Sequence, residues 1–271
     1  MLKQRIITAV ILAVCSVWAL FKASPELWEV LLFGVGFIAA WEWAGFAKIV
    51  SVWKKAVYVL IVALSTYIGI QVLNNEAIIG STLLEAVILI TVVGAYQRFK
   101  GKSTPSSMNL ILLLGGLFIS LFVITMIQFR VNFSAEALLM SLFVIWAIDT
   151  GAYFSGRKFG RKKLAQYVSP GKTWEGVYGG TVLAFVVALI GIYLVQPMLT
   201  IHFVLFALIA ALIALFSVFG DLFESVLKRQ VGLKDSGSIL PGHGGILDRI
   251  DSLIIAVPMF YILWTYGSQF Q

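Results

Sequence analysis

The chain has 271 residues, of which 60% are hydrophobic and only 12% are charged, and its formal net charge is +7. Soluble domains are about half apolar and about a quarter charged, so this composition excludes a soluble protein and predicts a polytopic membrane protein. A membrane-spanning helix needs about 20 mostly apolar residues. Such runs are helical because every backbone polar group in hydrocarbon must be paired within the segment.

Nine apolar runs follow one another along the chain, of which the first and the last are short. They predict an all-α protein with about nine transmembrane helices, at residues 6–21, 27–46, 56–73, 77–96, 108–129, 135–155, 174–196, 201–219 and 252–266. Lys3 and Arg5 precede the first run, as in a secretory signal peptide, but no small-residue cleavage site follows it. We therefore expect the first run to be retained as a helix.

Lysine and arginine are distributed unevenly over the loops between these runs. With nine spans, all of the 20 basic residues except Lys22 and Arg130 fall on one side of the membrane. Basic loops stay in the cytoplasm, so we expect a cytoplasmic N-terminus and an external C-terminus. The positive charge then forms a one-sided layer, which also favours contact with anionic lipid headgroups.

The two halves of the chain differ in their loops. Residues 1–134 contain generic spans with short loops, and we interpret them as a scaffold. Residues 135–271 contain two long polar segments on the predicted cytoplasmic face, 149–176 and 220–251, where we expect the chemistry. Among carboxylates in the first half, Glu29 and Glu42 lie near span ends, where they are expected to reach the membrane interface. Glu85 lies near a span centre and is assigned no role.

The segment 220–251 combines carboxylates, cations and glycines. If its beginning is helical, Asp221, Glu224, Ser225 and Lys228 share one face. Glycines at positions 232, 237, 242, 244 and 245 would let a ligand approach the backbone closely, and Asp248 and Asp251 follow them. Magnesium prefers carboxylate and phosphate oxygens, and lysine and arginine bind phosphate. The pattern favours metal-assisted phosphoryl or nucleotidyl transfer, with a solvated, internally paired loop as the alternative.

The segment 149–176 carries a second set of polar residues. Asp149 lies inside the sixth apolar run, and the basic stretch 157–163 suits the phosphate of a lipid or of a nucleotide. Ser169 is predicted to cap the next helix, with Glu175 completing the cap. Lys172 would then lie at a helix N-terminus, which is a natural anion site.

Two longer patterns in these segments resemble a known family. The stretch S-V-L-K-R-Q-V-G-L-K-D-S-G-S-I-L-P-G-H-G-G-I-L-D-R-I-D, residues 225–251, resembles the signature of the phosphatidate cytidylyltransferases, also called CDP-diacylglycerol synthases. The upstream stretches D-T-G-A-Y-F-S-G-R-K-F-G and S-P-G-K-T-W-E-G resemble the second pattern of the same family. The resemblance covers roughly residues 149–251, and the first half is similar only in being hydrophobic.

The resemblance implies an enzyme that converts CTP and phosphatidic acid to CDP-diacylglycerol and pyrophosphate with a divalent metal, typically Mg²⁺. Its partners would be CTP, phosphatidic acid and membrane lipids, and we expect no nucleic-acid partner. It also implies an integral protein of the bacterial inner membrane with a cytoplasmic active site. A homo-oligomer such as a dimer stays open, because Gly176, Gly179 and Gly180 permit close helix packing within one chain or between chains.

The resemblance also assigns roles to particular residues. The predicted catalytic residues are Asp221, Lys228, Arg229, His243 and Asp248. The predicted metal ligands are Asp221, Asp248 and Asp251, with Asp149 as a further candidate. The residues expected to hold phosphates, nucleotide or lipid headgroup are Ser225, Lys228, Arg229, Lys234, Gly244, Gly245, Arg249, Ser169, Lys172 and Glu175. His243 would stabilise the leaving pyrophosphate or make a structural hydrogen bond.

Two other classes of membrane protein fit the sequence less well. A CDP-alcohol phosphotransferase would carry D-x(2)-D-G-x(2)-A-R, but Asp248 and Asp251 are followed by Ser252 and Leu253, so that motif is absent. A transporter or channel would place charges near the middle of several spans and would show inverted repeats. The polar residues here gather on one predicted side instead.

Overall fold

The protein is described by a computed structural model that covers residues 2–102, 107–195, 200–240, 242 and 244–267. Within these residues the helices are α1 Leu2–Lys22, α2 Pro25–Phe46, α3 Val52–Val72, α4 Asn75–Arg98, α5 Met108–Asn132, α6 Ala135–Phe159, α7 Trp174–Val195, α8 Thr200–Gln230 and α9 Leu247–Gly267. Two short strands, β1 Lys163–Ala165 and β2 Ser169–Thr173, form an antiparallel pair between α6 and α7.

The helices α2 to α9 are each long and apolar enough to cross a membrane. The apolar part of α1 for which side chains are described, Ile7–Lys22, is shorter. The prediction of an all-α polytopic membrane protein is therefore confirmed. The orientation of the termini stays a prediction.

Polar residues at the starts of the spans close the first turns of four helices. The side chains of Ser24, Ser51, Asn74 and Ser107 each accept a hydrogen bond from the backbone N–H three residues later. Such caps satisfy donors that have no partner inside the helix. These caps explain why the four helices begin where they do.

Helices α8 and α9 are longer than the apolar runs that predict them. Helix α8 continues to Gln230, well beyond the predicted end at residue 219, and α9 begins at Leu247 rather than at residue 252. The stretch from Asp221 to Lys228 is therefore helical, which is the condition under which its polar residues share one face. Asp248 and Asp251 lie in the first turns of α9 instead of in the loop that precedes it.

The chain divides into two compact units. Unit 1 comprises Met1–Leu73, Thr104–Ala135 and Leu227–Asp251, and unit 2 comprises Asn74–Ser103, Glu136–Val226 and Ser252–Gln271. Unit 1 is built on the packing of α2, α3 and α5, where buried Trp43 donates through Nε1 to the carbonyl of Ile111 at 2.7 Å. Unit 1 thus contains the glycine-rich segment, and unit 2 contains the hairpin of β1 and β2.

Glycines bring α6 and α7 close together in unit 2. A Cβ atom on Gly151 would lie 2.8 Å from the Cα of Gly180, and one on Gly180 would lie 2.5 Å from the carbonyl oxygen of Ile148. These distances are too short for any larger residue without movement of the backbone. The small-residue run of α7 therefore packs against α6 within the chain. This is one of the two kinds of packing that the sequence allowed, within one chain or between chains.

We expect Gly180→Ala to destabilise the protein by about 1–3 kcal/mol, because the added methyl group meets backbone atoms that cannot move aside. The matched control is Gly94→Ala, at an exposed glycine of α4 where an added Cβ meets nothing within 4 Å. The control should be neutral or slightly stabilising, since alanine favours a helix more than glycine does. Thermal unfolding of both variants in one detergent tests this. Equal midpoints would contradict the packing argument.

Candidate active site

One polar cluster in unit 2 joins residues from three elements. The Nζ of Lys172, on β2, lies 2.6 Å from the Oδ2 of Asp221, on α8. Ser225, one turn further along α8, donates from Oγ to the Oδ1 of Asp221 at 3.4 Å. Asp149, on α6, interacts electrostatically with both Lys172 and Asp221. The structure therefore brings together four residues that were predicted from two separate segments.

The hairpin that carries Lys172 corrects one local prediction. Ser169 does not cap α7, because residues 169–173 form strand β2, in which Ser169 pairs with Ala165. Thr173 takes the capping role, since its Oγ1 accepts a hydrogen bond from the N–H of Gly176 at 3.2 Å. The physical reason is distance along the chain: Ser169 lies a full strand before the first turn of α7, whereas Thr173 immediately precedes it.

Glu175 also differs from its predicted capping role. Its carboxylate accepts hydrogen bonds from the backbone N–H of Arg161 at 3.0 Å and of Lys162 at 3.2 Å. Glu175 therefore holds the loop between α6 and β1 against the first turn of α7. The predicted contacts of Ser169 and Glu175 with nucleotide or lipid stay predictions.

A second polar cluster, in unit 1, is centred on Asp248. Its Oδ1 lies 2.7 Å from the Nζ of Lys228, in an ion pair whose side chains are only 12% (Lys228) and 8% (Asp248) exposed. Its Oδ2 accepts from the N–H of Ser236 at 2.9 Å and from the N–H of Gly245 at 2.8 Å. The hydroxyl of Ser236 lies 3.0 Å from the same oxygen. Asp248 thus binds a lysine of α8 and two points of the glycine-rich segment at once.

Glu42 is a member of this second cluster that the sequence did not reveal. Its carboxylate accepts from the N–H of Ile246 at 3.0 Å and of Leu247 at 2.9 Å, and the hydroxyl of Ser236 lies 3.0 Å from it. The expectation that Glu42 reaches the interface is wrong, because Glu42 is only 6% exposed. It instead provides the negative charge that stabilises the N-terminus of α9. The sequence showed only a carboxylate near the end of an apolar run. No neighbouring residue indicated its partners, which lie about 200 residues further along the chain.

Three glycines of the segment, Gly237, Gly244 and Gly245, are explained by these two carboxylates. An added Cβ on Gly244, where φ is +81°, would lie 2.6 Å from the Oδ2 of Asp248. A Cβ on Gly237 or on Gly245 would collide with the carboxylate of Glu42. The glycines predicted to cradle phosphate therefore receive two carboxylates of the protein itself, and the N–H of Gly245 already donates to Asp248.

The other predicted site residues of unit 1 lie close to this cluster in the sequence. Arg229, Lys234 and Arg249 are exposed, and Asp251 is half-buried. His243 lies outside the described residues. The assigned roles of these residues stay predictions.

The donor set of the first cluster fits a hard divalent cation. No group of three or more His, Cys, Asp or Glu side chains suited to a metal ion occurs in the part of the chain that the structure describes. Magnesium, however, is held in many enzymes by one or two carboxylates, with substrate phosphates and water completing its shell. Asp221, which is paired with Lys172, and Asp149 on α6 supply two carboxylates of this kind. Their roles as metal ligands stay predictions, as do those of Asp248 and Asp251.

Comparison with known proteins places this geometry in a family. The model of a family described as the cytidylyltransferase family matches residues 3–266. The chain belongs to this family. The match includes the first half, which the motifs alone did not connect with the family.

Curated members of the cytidylyltransferase family resemble the chain along its length. It is 37% identical to the phosphatidate cytidylyltransferase of Pseudomonas aeruginosa over 281 aligned positions, which cover 98% of each chain. It is 34% identical to that of Haemophilus influenzae, over 96% of this chain and 97% of the relative. A shorter match, 48% identical over 120 positions and 44% of each chain, is to that of Bacillus subtilis.

We expect Glu42→Gln to loosen the glycine-rich segment. A glutamine keeps the shape but loses the charge, and hydrogen bonds to a charged group contribute about 1.5–3 kcal/mol each. Trypsin cleavage after Lys234, which is exposed within this segment, measures the opening directly. The cleavage rate should rise by about tenfold or more, which corresponds to a loss of about 1.4 kcal/mol.

The matched control is Glu29→Gln, since Glu29 lies on the same helix and shows no shared contact with the segment among the described residues. It should leave cleavage after Lys234 at the wild-type rate. If the two variants were cleaved equally fast, Glu42 would not hold the segment in place.

Proposed function

We propose that the protein transfers CMP from CTP to phosphatidic acid, which forms CDP-diacylglycerol and releases pyrophosphate. The observation that carries the proposal is the lysine–carboxylate cluster of Lys172, Asp221 and Asp149. The chain that contains it matches named phosphatidate cytidylyltransferases over nearly its whole length. Cations and carboxylates on the helices of a membrane protein suit a reaction between a soluble nucleotide and a lipid. The first half belongs to the same family match and would act as the scaffold.

The chemistry needs charge neutralisation more than a strong base. A phosphate monoester loses its second proton with a pKa of about 6, so the lipid phosphate is already a nucleophile near neutral pH. One of its terminal oxygens would attack the α-phosphorus of CTP, forming a new P–O bond. The bond from that phosphorus to the oxygen bridging to the β-phosphorus would break, and pyrophosphate would leave with the electron pair.

The residues of the two clusters have distinct proposed roles. Asp221 and Asp149 would hold Mg²⁺, which offsets the charge of the phosphates and of the leaving pyrophosphate. Lys172 would give up its ion pair with Asp221 and bind a phosphate. Asp248 and Asp251 remain further proposed ligands.

Lys228 is proposed to act in a similar way. Its ammonium is now held by Asp248 at 2.7 Å, so a phosphate that binds Lys228 must compete with that carboxylate. Arg229, Lys234 and Arg249 would add positive charge for the same polyanions. The cost of rearranging these pairs is offset by the stronger charge of the substrates.

We further propose that the site faces the cytoplasm of a bacterial inner membrane. The support is the uneven distribution of basic residues, of which only Lys22 and Arg130 fall on the other side in a nine-span arrangement. CTP is a charged nucleotide that does not cross hydrocarbon, so the site must open to the compartment that contains it.

The test is pyrophosphate release by the purified full-length protein in detergent. We expect release only when CTP, phosphatidic acid and Mg²⁺ are all present, and loss of release on chelation. Asp221→Asn should lower kcat/KM by about a hundredfold or more, because a lost metal ligand removes several kcal/mol of transition-state stabilisation. Glu136→Gln, at an exposed position in the first turn of α6, is the control and should keep wild-type activity.

Pyrophosphate release that does not depend on phosphatidic acid would contradict the proposed acceptor. Near-normal turnover of Asp221→Asn at saturating Mg²⁺ would contradict the role of Asp221 as a metal ligand. Phosphatidic acid transport without any consumption of CTP would favour the transporter instead.

A further inference from the structure

A group of cations at the end of α6 has no part in either cluster. We call it the basic rim and define it as Arg157, Lys158, Arg161, Lys162 and Lys163. All five residues are exposed, and they occupy the last turn of α6, the following loop and the start of β1. Helix α6 has 25 residues and is thus about 37 Å long, which exceeds the roughly 30 Å of hydrocarbon that it must cross. The rim therefore lies at the level of lipid headgroups if α6 is centred in the bilayer.

Aromatic rings contact two cations of the basic rim, and further rings are exposed nearby in the sequence. Tyr153, Phe154, Phe159 and Trp174 are all exposed on the protein surface. The Nη1 of Arg157 donates to the hydroxyl of Tyr153 at 3.1 Å, and the Nζ of Lys158 lies 5.2 Å from the centre of the Phe159 ring. Such rings are enriched where a protein crosses the headgroup region. The cations therefore stand beside rings that are suited to lipid rather than to water.

Hydrogen bonds hold the backbone of the basic rim in place, but its charged side chains form no ion pairs within the described residues. The carboxylate of Glu175 is used on the backbone N–H groups of Arg161 and Lys162, and the N–H of Trp174 donates to the carbonyl of Lys162 at 3.0 Å. Within the described ranges, none of the five side chains forms an ion pair with a carboxylate. Only Lys162 has a carboxylate nearby in the described structure, that of Glu175. An ordered surface with this excess of positive charge fits a ligand that brings its own negative charge.

We propose that the basic rim binds the phosphate of phosphatidic acid and delivers this lipid to the enzyme, an inference that rests on the proposed function. A phosphomonoester carries between one and two negative charges near neutral pH, whereas the phosphodiester of phosphatidylglycerol carries one. A cluster of cations at headgroup level therefore prefers the monoester. Membrane topology alone also predicts basic residues on this loop, but it predicts no preference between these two lipids.

The proposal is tested by equilibrium binding of lipid to the full-length protein in nanodiscs, without CTP. The variant is Arg157→Gln/Lys158→Gln. The matched control is Arg98→Gln/Lys102→Gln, which removes one arginine and one lysine that are also exposed at the end of a helix and after it. The probes are chain-labelled phosphatidic acid and chain-labelled phosphatidylglycerol in a neutral lipid background.

We expect the rim variant to bind phosphatidic acid about tenfold or more weakly, because it loses two charged contacts with the lipid phosphate. Its affinity for phosphatidylglycerol should change less, and the control should match wild type for both lipids. Arg157→Lys/Lys158→Arg, which keeps both charges, should retain binding. With CTP added, the rim variant should show a raised KM for phosphatidic acid and an unchanged KM for CTP.

Two results would overturn the proposal. Unchanged binding of phosphatidic acid by the rim variant would exclude the contact, and equal losses for both lipids would reduce it to general attraction for anionic membranes. Because binding is measured without CTP, failure of the proposed function is a separate outcome. Wild-type protein that bound phosphatidic acid through the rim but never consumed CTP would contradict the transferase assignment and leave the lipid contact supported.

Discussion

The glycine-rich segment depends on two carboxylates, that of the buried Glu42 and that of the half-buried Asp248. A loop beside membrane-spanning helices contains backbone N–H groups that must find acceptors, since each unpaired group costs several kcal/mol in an apolar setting. Glu42 accepts from Ile246 and Leu247, and Asp248 accepts from Ser236 and Gly245. The segment is thereby fixed at the N-terminus of α9 from two directions.

This constraint changes the meaning of the glycines. In sequence they suggested an open cradle for a phosphate, but Gly237, Gly244 and Gly245 are needed first for the close approach of the protein's own carboxylates. Any residue with a Cβ at these positions would displace Glu42 or Asp248. A phosphate that binds here must therefore compete with a carboxylate that is already in place. It would have to replace that carboxylate rather than fill an empty cradle.

Each unit also contains an ion pair between a lysine and a carboxylate. Lys172 is paired with Asp221 in unit 2, and Lys228 is paired with Asp248 in unit 1. A lysine held by a carboxylate is kept in position at little net cost before substrate arrives, and a polyanion can then replace that carboxylate. The basic rim differs, because none of its side chains is held in an ion pair with a carboxylate in the described structure. It is therefore suited to first contact with a lipid rather than to the transfer step.

Sequence reasoning succeeded where the physical signal is local. Span length predicted α2 to α7 to within a few residues, but it ended α8 at residue 219, because the polar residues from Asp221 onward interrupt the apolar run while the helix continues to Gln230. Sequence reasoning failed where partners are distant: Glu42 is separated by about two hundred residues from its partners in the segment. Strand β2 was missed because five residues are too few for a periodic pattern, and its partner β1 is only three residues long.

The central claim is that the lipid phosphate attacks the α-phosphorus of CTP, and the most direct measurement follows that atom. Purified protein is incubated with phosphatidic acid, Mg²⁺ and CTP labelled at the α-phosphorus, and the lipid is then extracted. The account predicts that the label enters the lipid fraction while a label on the γ-phosphorus leaves as pyrophosphate. Appearance of the γ-label in the lipid, with the α-label remaining in the water phase, would indicate phosphoryl transfer and contradict the account.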